Sequence, residues 1–259
     1  MHYNINENLT PQEIEFWEQQ YLEQIFYSLN LDKDKMLSGF NTKEEIREDW
    51  EAYLGDQTSD FATGSERIFY WLFNQFGKPN SSPVGSDMFF ETYNAYVHID
   101  IKTVTLANLG DFTKNIFVGD NQNSYEGNII VKGKDPRPYK GHLPPFYTKK
   151  TGEKKICLTY FIIILYNEKN LDIQTIALVC MPNGKLGNVY GNKVISAGKN
   201  KGKIRFNYTQ CQKFESLANQ PSRIKVLLWN ENMDKAVEKK FNILKDTFDQ
   251  QDKKIRIRQ

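Results

Sequence analysis

Three side chains near the middle of the chain have the types and spacing of a hydrolytic site: Asp87, Asp100 and Lys102. From Tyr96 onward the residues alternate, so Val97, Ile99 and Ile101 share one face of an extended strand while His98, Asp100 and Lys102 share the other. Asp100 and Lys102 therefore stand side by side. Asp87 opens a preceding strand, and a turn near Tyr93 and Asn94 folds that strand back to bring its carboxylate near Asp100. Two converging carboxylates bind a hard divalent cation, and oxygen ligands with few protein contacts favour Mg2+, with Mn2+ as a substitute. The Ile101 carbonyl, at the same edge, completes the coordination. A lysine beside such a cation orients or polarises the water that attacks a phosphate, so the chemistry is phosphodiester hydrolysis. An acid and a lysine on a half-exposed strand are more often a solvated charge pair; Asp87 at the mouth of the hairpin lifts them above that reading. Glu91, on the same face as Asp87, rivals it for the acid role, and His98 reads as a structural hydrogen-bonding group before a general base.

The elements that must position these residues announce themselves at their ends. Thr10, Pro11 and Glu13 form a capping box, and Ile14, Trp17, Tyr21, Ile25 and Leu29 follow at helical spacing, which predicts a helix over 11–30. Thr42 with Glu45 repeats the box ahead of Ile46, Trp50, Tyr53 and Leu54, with Gly55 as a stop. A polar loop then leads to Ser65, which reads as the N-cap of a third helix carrying Ile68, Phe69, Leu72, Phe73 and Phe76. Glu66 in its first turn meets the positive end of the helix dipole. The run from Cys157 to Tyr166 is nearly all apolar and predicts a central strand buried on both faces, with 173–181 as its neighbour. Strands over 204–208 and 224–229 follow, then a last helix through Val237, Phe241, Leu244 and Phe248, capped by Asn230 or Asn232. The fold class is α/β, a sheet with helices on it. Residues 108–147 have no clean periodicity and read as a long functional loop.

At 259 residues, with 39% apolar content and 17 Phe, 14 Tyr and 4 Trp, the chain buries a sizeable core and reads as a single large domain. A net charge of +2 excludes a histone-like polycation, so nucleic-acid contacts must come from local patches. Acids crowd the first sixty positions, whereas 132–155, 193–213 and the tail 253–258 are basic, which suggests a basic cleft. The three cysteines lie far apart without zinc spacing, and Cys157 and Cys180 read as core thiols. No signal peptide precedes the first helix and no apolar run approaches the roughly 20 residues of a membrane span, so a cytoplasmic protein without membrane contact is expected.

The order of Asp87, Asp100 and Lys102 resembles the PD-(D/E)xK nuclease motif, with Ser86 where that family usually has proline. The strand from Ile99 to Thr103 is similar to the active-site strand of its EcoRV branch. The segments Gly55 to Gln57, Val84 to Asp87, Ile99 to Val104, Leu143 to Tyr147, Ala177 to Gly184 and Arg223 to Val226 follow the order of BglI-like type II restriction endonucleases. The interval from Asp87 to Asp100 is shorter than in those enzymes. The resemblance implies a mixed central β-sheet flanked by helices, with an N-terminal helical part. It also implies a Mg2+-dependent homodimer cutting both strands of a specific double-stranded DNA site, with a cognate DNA methyltransferase acting on the same site. A repair or mobile-element nuclease of this fold, and a DNA-binding module with a vestigial site, are the alternatives.

Within that frame Asp87, Asp100 and Lys102 are the catalytic residues. Glu66 is a fourth candidate, since an acid from this helix often faces the site in such nucleases and such acids orient ligands and waters. Residues 1–55 form the helical part and a source of dimer contacts, 56–105 the catalytic core, 106–230 the sheet and recognition elements, and 231–259 the last helix and basic tail. Amide and cationic side chains contact base edges and phosphates. The DNA-binding candidates are Asn121, Gln122 and Asn123, then Lys203, Arg205, Asn207, Gln210, Gln212, Lys213 and Arg223 as the pool of base readers, with Lys199 and Lys201 on phosphates.

Overall fold

The capping box closes as its residues require. The Thr10 amide donates to Glu13 Oε2 at 2.7 Å and the Glu13 amide to Thr10 Oγ1 at 3.3 Å, with Pro11 at the first helical position. A cap of this kind contributes about 1 kcal/mol and starts helix α1 (Pro11–Leu31). The computed structural model describes residues 8–40, 61–73, 86–129, 135–198 and 202–257; the helix expected after Thr42, Lys199 and Lys201 lie outside these. Helix α1 buries Ile14, Tyr21, Ile25 and Leu29 as the spacing predicts, leaves Trp17 half-buried, and also buries Leu22, Glu15 and Glu18, which the spacing does not name. A helical stretch over 33–40, absent from the sequence reading, buries Met36 and Phe40. Helix α2 (Phe61–Leu72) starts upstream of Ser65, so Ser65 is buried inside the helix rather than capping it, and Glu66 stands exposed in mid-helix. Capping preference is a weak prior that does not forbid an earlier start.

Strands β1 (Met88–Glu91) and β2 (Ala95–Thr105) form an antiparallel hairpin. The Thr92 amide donates to the Ala95 carbonyl at 2.9 Å, closing the turn expected at Tyr93 and Asn94. After β2 the chain leaves the large sheet for β3 (Ile116–Gly119) and the ribbon of β4 (Glu126–Ile129) and β5 (Arg137–Lys140), then rejoins it as β6 (Phe146–Thr148). The expected long loop thus contains strands of three or four residues, too short to show a period. The chain returns as β7 (Lys154–Tyr166), parallel to β2 and buried on both faces, and β8 (Ile173–Met181) lies antiparallel beside it. Strands β9 (Ile195–Ala197) and β10 (Lys203–Phe206) join β3 in a second sheet, and β11 (Ile224–Trp229) completes the first. The large sheet has the order β1-β2-β7-β8-β11, with β6 paired to the start of β7.

Each face of the large sheet has its own cover. On one, the Tyr160 hydroxyl donates to the Glu18 carbonyl of α1 at 2.9 Å, and Phe90 packs on Phe73 after α2 with ring centroids 5.7 Å apart. On the other, Phe161 of β7 meets Phe206 of β10 at 6.1 Å, so the small β3-β10-β9 sheet lies over the face that carries Asp100. Helix α3 (Asn242–Ile257) covers the β11 edge. Its Gln251 amide accepts from the Val226 amide at 3.0 Å and donates to the Val226 carbonyl at 3.1 Å, occupying backbone groups an edge strand would leave open. Phe241 and Leu244 are buried as expected, but Asp234, not Asn230 or Asn232, caps the turn leading in; Asn230 accepts from the Asn232 amide instead. The structure is a mixed α/β fold with a central mixed sheet, helices and an N-terminal helical part.

Candidate active site

The hairpin register pairs Met88 with Ile99, which sets Asp87 opposite Asp100. Asp87 is held there by its own strand partner: Oδ2 accepts from the Ile101 amide at 2.6 Å. Lys102 Nζ pairs with Asp100 and lies 5.8 Å from the centre of the Phe161 ring. Gln122, twenty residues downstream in the turn after β3, reaches both partners. Its Nε2 donates to Asp100 Oδ1 at 2.8 Å, and its Oε1 accepts from Lys102 Nζ at 3.1 Å and from the Gly119 amide at 2.9 Å. Beside Lys102 a cleft of about 360 Å³ opens between the end of β2 and Asn108, Asp111 and Phe117.

Asp100 is 2% exposed and His98 1%, so the polar face of β2 is covered, not half-exposed as its alternation suggested. The covering layer is the small sheet, which periodicity along β2 could not reveal. Burial pushes the Asp100 carboxyl up to about 7 against the pull of Lys102, and the Asp87 charge adds to the rise. Burial, with the Lys102 charge second, pushes His98 down to about 3. Neither His98 ring nitrogen has a hydrogen-bond partner, contrary to the structural hydrogen bond expected of it. Glu91 lies opposite Tyr96, at the far end of the hairpin, bound to Lys149 and to Lys155 at 2.7 Å; it is no rival to Asp87. Glu66 is exposed in mid-helix, and no group of three or more His, Cys, Asp or Glu side chains gathers as a metal site among the described residues.

The donor set nevertheless suits a hard divalent cation. Asp87 and Asp100 face each other, Lys102 pairs with Asp100, and burial together with the Asp87 charge disfavours the ionised form of Asp100, a penalty that a bound cation would offset. Asp87, Asp100 and the Ile101 carbonyl are all oxygen donors, the kind that Mg2+ prefers.

The DNA-contact candidates divide. Asn121, Lys203, Gln210 and Lys213 are exposed. Arg205 stacks on Phe117 at 3.9 Å and is tied to Asn115 at 2.8 Å and Asp111 at 3.2 Å, close to the cleft. Gln212 donates to the Thr209 carbonyl at 2.7 Å. Asn123 is buried, bonded to the Gly119 carbonyl, the Tyr139 hydroxyl and the Tyr125 amide. Asn207 is buried against Ser196 and the Lys193 carbonyl. Arg223 is 0% exposed, clasped by Glu15 at 3.1 Å and Glu18 at 2.6 Å. None of these three is presented to a groove. Gln122 sits between Asp100 and Lys102 instead of on an outer surface, a placement no local signal in the sequence could have given.

Residues 10–170 match the family model described as type II restriction enzyme MwoI, N-terminal domain, and residues 173–229 the one described as its central domain. The two matched segments share one sheet, since β7 in the first is hydrogen-bonded to β8 in the second. The fold is similar to the restriction endonuclease BglI bound to its DNA recognition sequence, with a TM-score of 0.63 and 14% identity, covering 83% of this chain and 91% of that one. It is equally similar to tetrameric SfiI bound to cognate DNA, with a TM-score of 0.63 and 13% identity, covering 89% and 90%. No curated protein sequence matches the chain significantly.

Proposed function

Because the chain belongs to the family of type II restriction enzymes represented by MwoI, and is a sequence-specific endonuclease acting on DNA, we propose that it works as a PD-(D/E)xK enzyme whose machinery is Asp87, Asp100 and Lys102. The observation that carries this reading is the register: Asp87 and Asp100 face each other across the hairpin with Lys102 paired to Asp100. The two carboxylates and the Ile101 carbonyl would hold Mg2+, with Mn2+ as a substitute. When bound, the cation offsets the negative charge that builds on the phosphate during attack.

The protein's own groups do the rest. The Ile101 amide fixes the Asp87 carboxylate so that one oxygen stays turned toward the site. Lys102, 22% exposed at its side chain, reaches the cleft and hydrogen-bonds the attacking water while its charge favours the developing oxyanion. Lys203 and Arg205 of β10, with Asn121, Gln210, Gln212 and Lys213, supply DNA contacts, and Lys199 and Lys201, just before β10 in the sequence, are the phosphate contacts. The active form is a homodimer cutting both strands of a duplex site, in the cytoplasm, beside a methyltransferase that modifies the same sequence.

Asp100→Ala should abolish cleavage while leaving duplex binding measurable by mobility shift, because it removes a ligand rather than a phosphate anchor. Lys102→Ala should slow single-turnover cleavage on the order of a hundredfold or more. Near-normal turnover by either variant would overturn the assignment.

A further inference from the structure

We propose that Gln122 is a positioning residue for DNA hydrolysis, orienting Asp100 and Lys102 together; the inference rests on the assignment of that pair to catalysis. The orientation of the Gln122 amide is fixed from outside the pair. The Gly119 amide is a donor, so the oxygen of Gln122 must face it, and the same oxygen then accepts from Lys102 Nζ. The nitrogen is left to Asp100 Oδ1 at 2.8 Å. One planar group thus holds the acid by one end and the lysine by the other. With Oδ1 occupied, the second oxygen of Asp100 is the one that shares the space with Lys102 and Asp87. A ligating carboxylate held in this way keeps its direction when a cation binds.

The turn that carries Gln122 is itself braced. The Asp120 amide donates to the Gly202 carbonyl at 3.0 Å, the His142 amide to the Asp120 carbonyl at 2.7 Å, and the Asn123 side chain to the Gly119 carbonyl at 3.0 Å. Gly119 is register partner to Lys203 on β10. The strand with the exposed cation Lys203 and the cleft-side Arg205 is therefore one hydrogen-bonded ladder away from the side chain that sets Asp100 and Lys102.

The test is Gln122→Met, which keeps the length and removes all three side-chain hydrogen bonds, with Gln122→Glu as a second variant that keeps the acceptor for the Gly119 amide. Single-turnover cleavage should fall about 10–100-fold in both, the range for groups that orient metal ligands. Duplex affinity measured without divalent metal should stay at the wild-type value, and so should the thermal midpoint. Mn2+ binding to free Gln122→Met, read by electron paramagnetic resonance, should weaken. If either folded variant cleaves at the wild-type rate, or if duplex affinity falls in step with rate, Gln122 does not position the pair. Asp100→Ala run in parallel separates the two readings: if it too cleaves normally, the catalytic assignment has failed; if it is dead while Gln122→Met is unimpaired, only the role of Gln122 has.

Discussion

His98 and Asp100 are neighbours on one strand face, and burial moves their protonation in opposite senses. His98 is depressed from 6.5 to about 3, so as pH falls below 6.5 the unfolded chain takes a proton that the folded one refuses, and stability is lost. Asp100 is raised from 3.8 to about 7, so its favourable contribution is complete below 3.8 and is lost as pH rises through 7. Between these limits the two slopes oppose each other, and the wild-type protein draws no net pH dependence from the pair. Each should be unmasked by removing the other. In metal-free buffer Asp100→Asn should lose stability as pH falls from about 6.5 to about 4, by roughly 1.4 kcal/mol per pH unit. His98→Leu should gain stability over the same fall, and should be the more stable protein at low pH because the partnerless imidazole is gone. Urea unfolding across this range reads both; profiles parallel to wild type would sink the argument.

Helix α1 is joined to the sheet less by its apolar stripe than the sequence implied. Arg223, entering β11, is buried with Glu15 and Glu18 of the helix, stacks on Phe214 at 4.2 Å and Tyr190 at 4.7 Å, and donates to the Tyr190 hydroxyl at 2.9 Å. The surrounding acids hold the Arg223 guanidinium protonated despite its burial. The same carboxylates accept backbone amides from other segments: Glu18 from Asn183 at 2.6 Å, Glu15 from Ser216 at 2.6 Å and Glu215 at 3.1 Å. One ionic cluster thus ties α1 to β11, to the turn after β8 and to the segment ahead of β11. Arg223→Met should cost about 3–5 kcal/mol, because it strands two buried carboxylates. Replacing all three by apolar residues, as Glu15→Leu, Glu18→Leu and Arg223→Met together, should recover most of that loss, since a buried ion cluster is often matched by apolar packing of similar volume. Chemical denaturation checks both; a single variant as stable as wild type would show that the cluster holds nothing.

The outward side of α1 carries Phe16, Tyr27 and Leu31, 45%, 67% and 63% exposed. At about 100° per residue they fall within roughly 60° of one another, one apolar stripe turned away from the core. In the proposed homodimer each copy would cut one strand, and two-fold symmetry matches a symmetric target. This stripe is the surface of α1 best suited to the contact. Light scattering should give a dimer for the wild type. The combined Phe16→Glu, Tyr27→Glu and Leu31→Glu variant should be monomeric and should nick plasmid DNA rather than linearise it. A wild-type monomer, or a triple variant that remains dimeric, would exclude α1 as the interface.

The sequence alone determined what depends on neighbours in the chain. The capping box starts α1, the apolar run from Cys157 to Tyr166 gives the central strand, and two-residue alternation with a turn at Tyr93 and Asn94 sets the register that opposes Asp87 to Asp100. Each of these rests on a period or a local hydrogen bond that a few adjacent residues encode. The tertiary structure decided what covers each face. Alternation separates the two sides of β2 but cannot say that a second sheet, built partly from a strand a hundred residues later, buries the polar side and leaves His98 and Asp100 in a low dielectric. For the same reason Arg223, Asn123 and Asn207 read as groove contacts from their types yet are buried as braces, and Gln122, chosen for DNA, lies between Asp100 and Lys102. An amide or a guanidinium has the same donors whether it meets a base or a carboxylate. Only the fold's long-range pairing determines which partner is within reach.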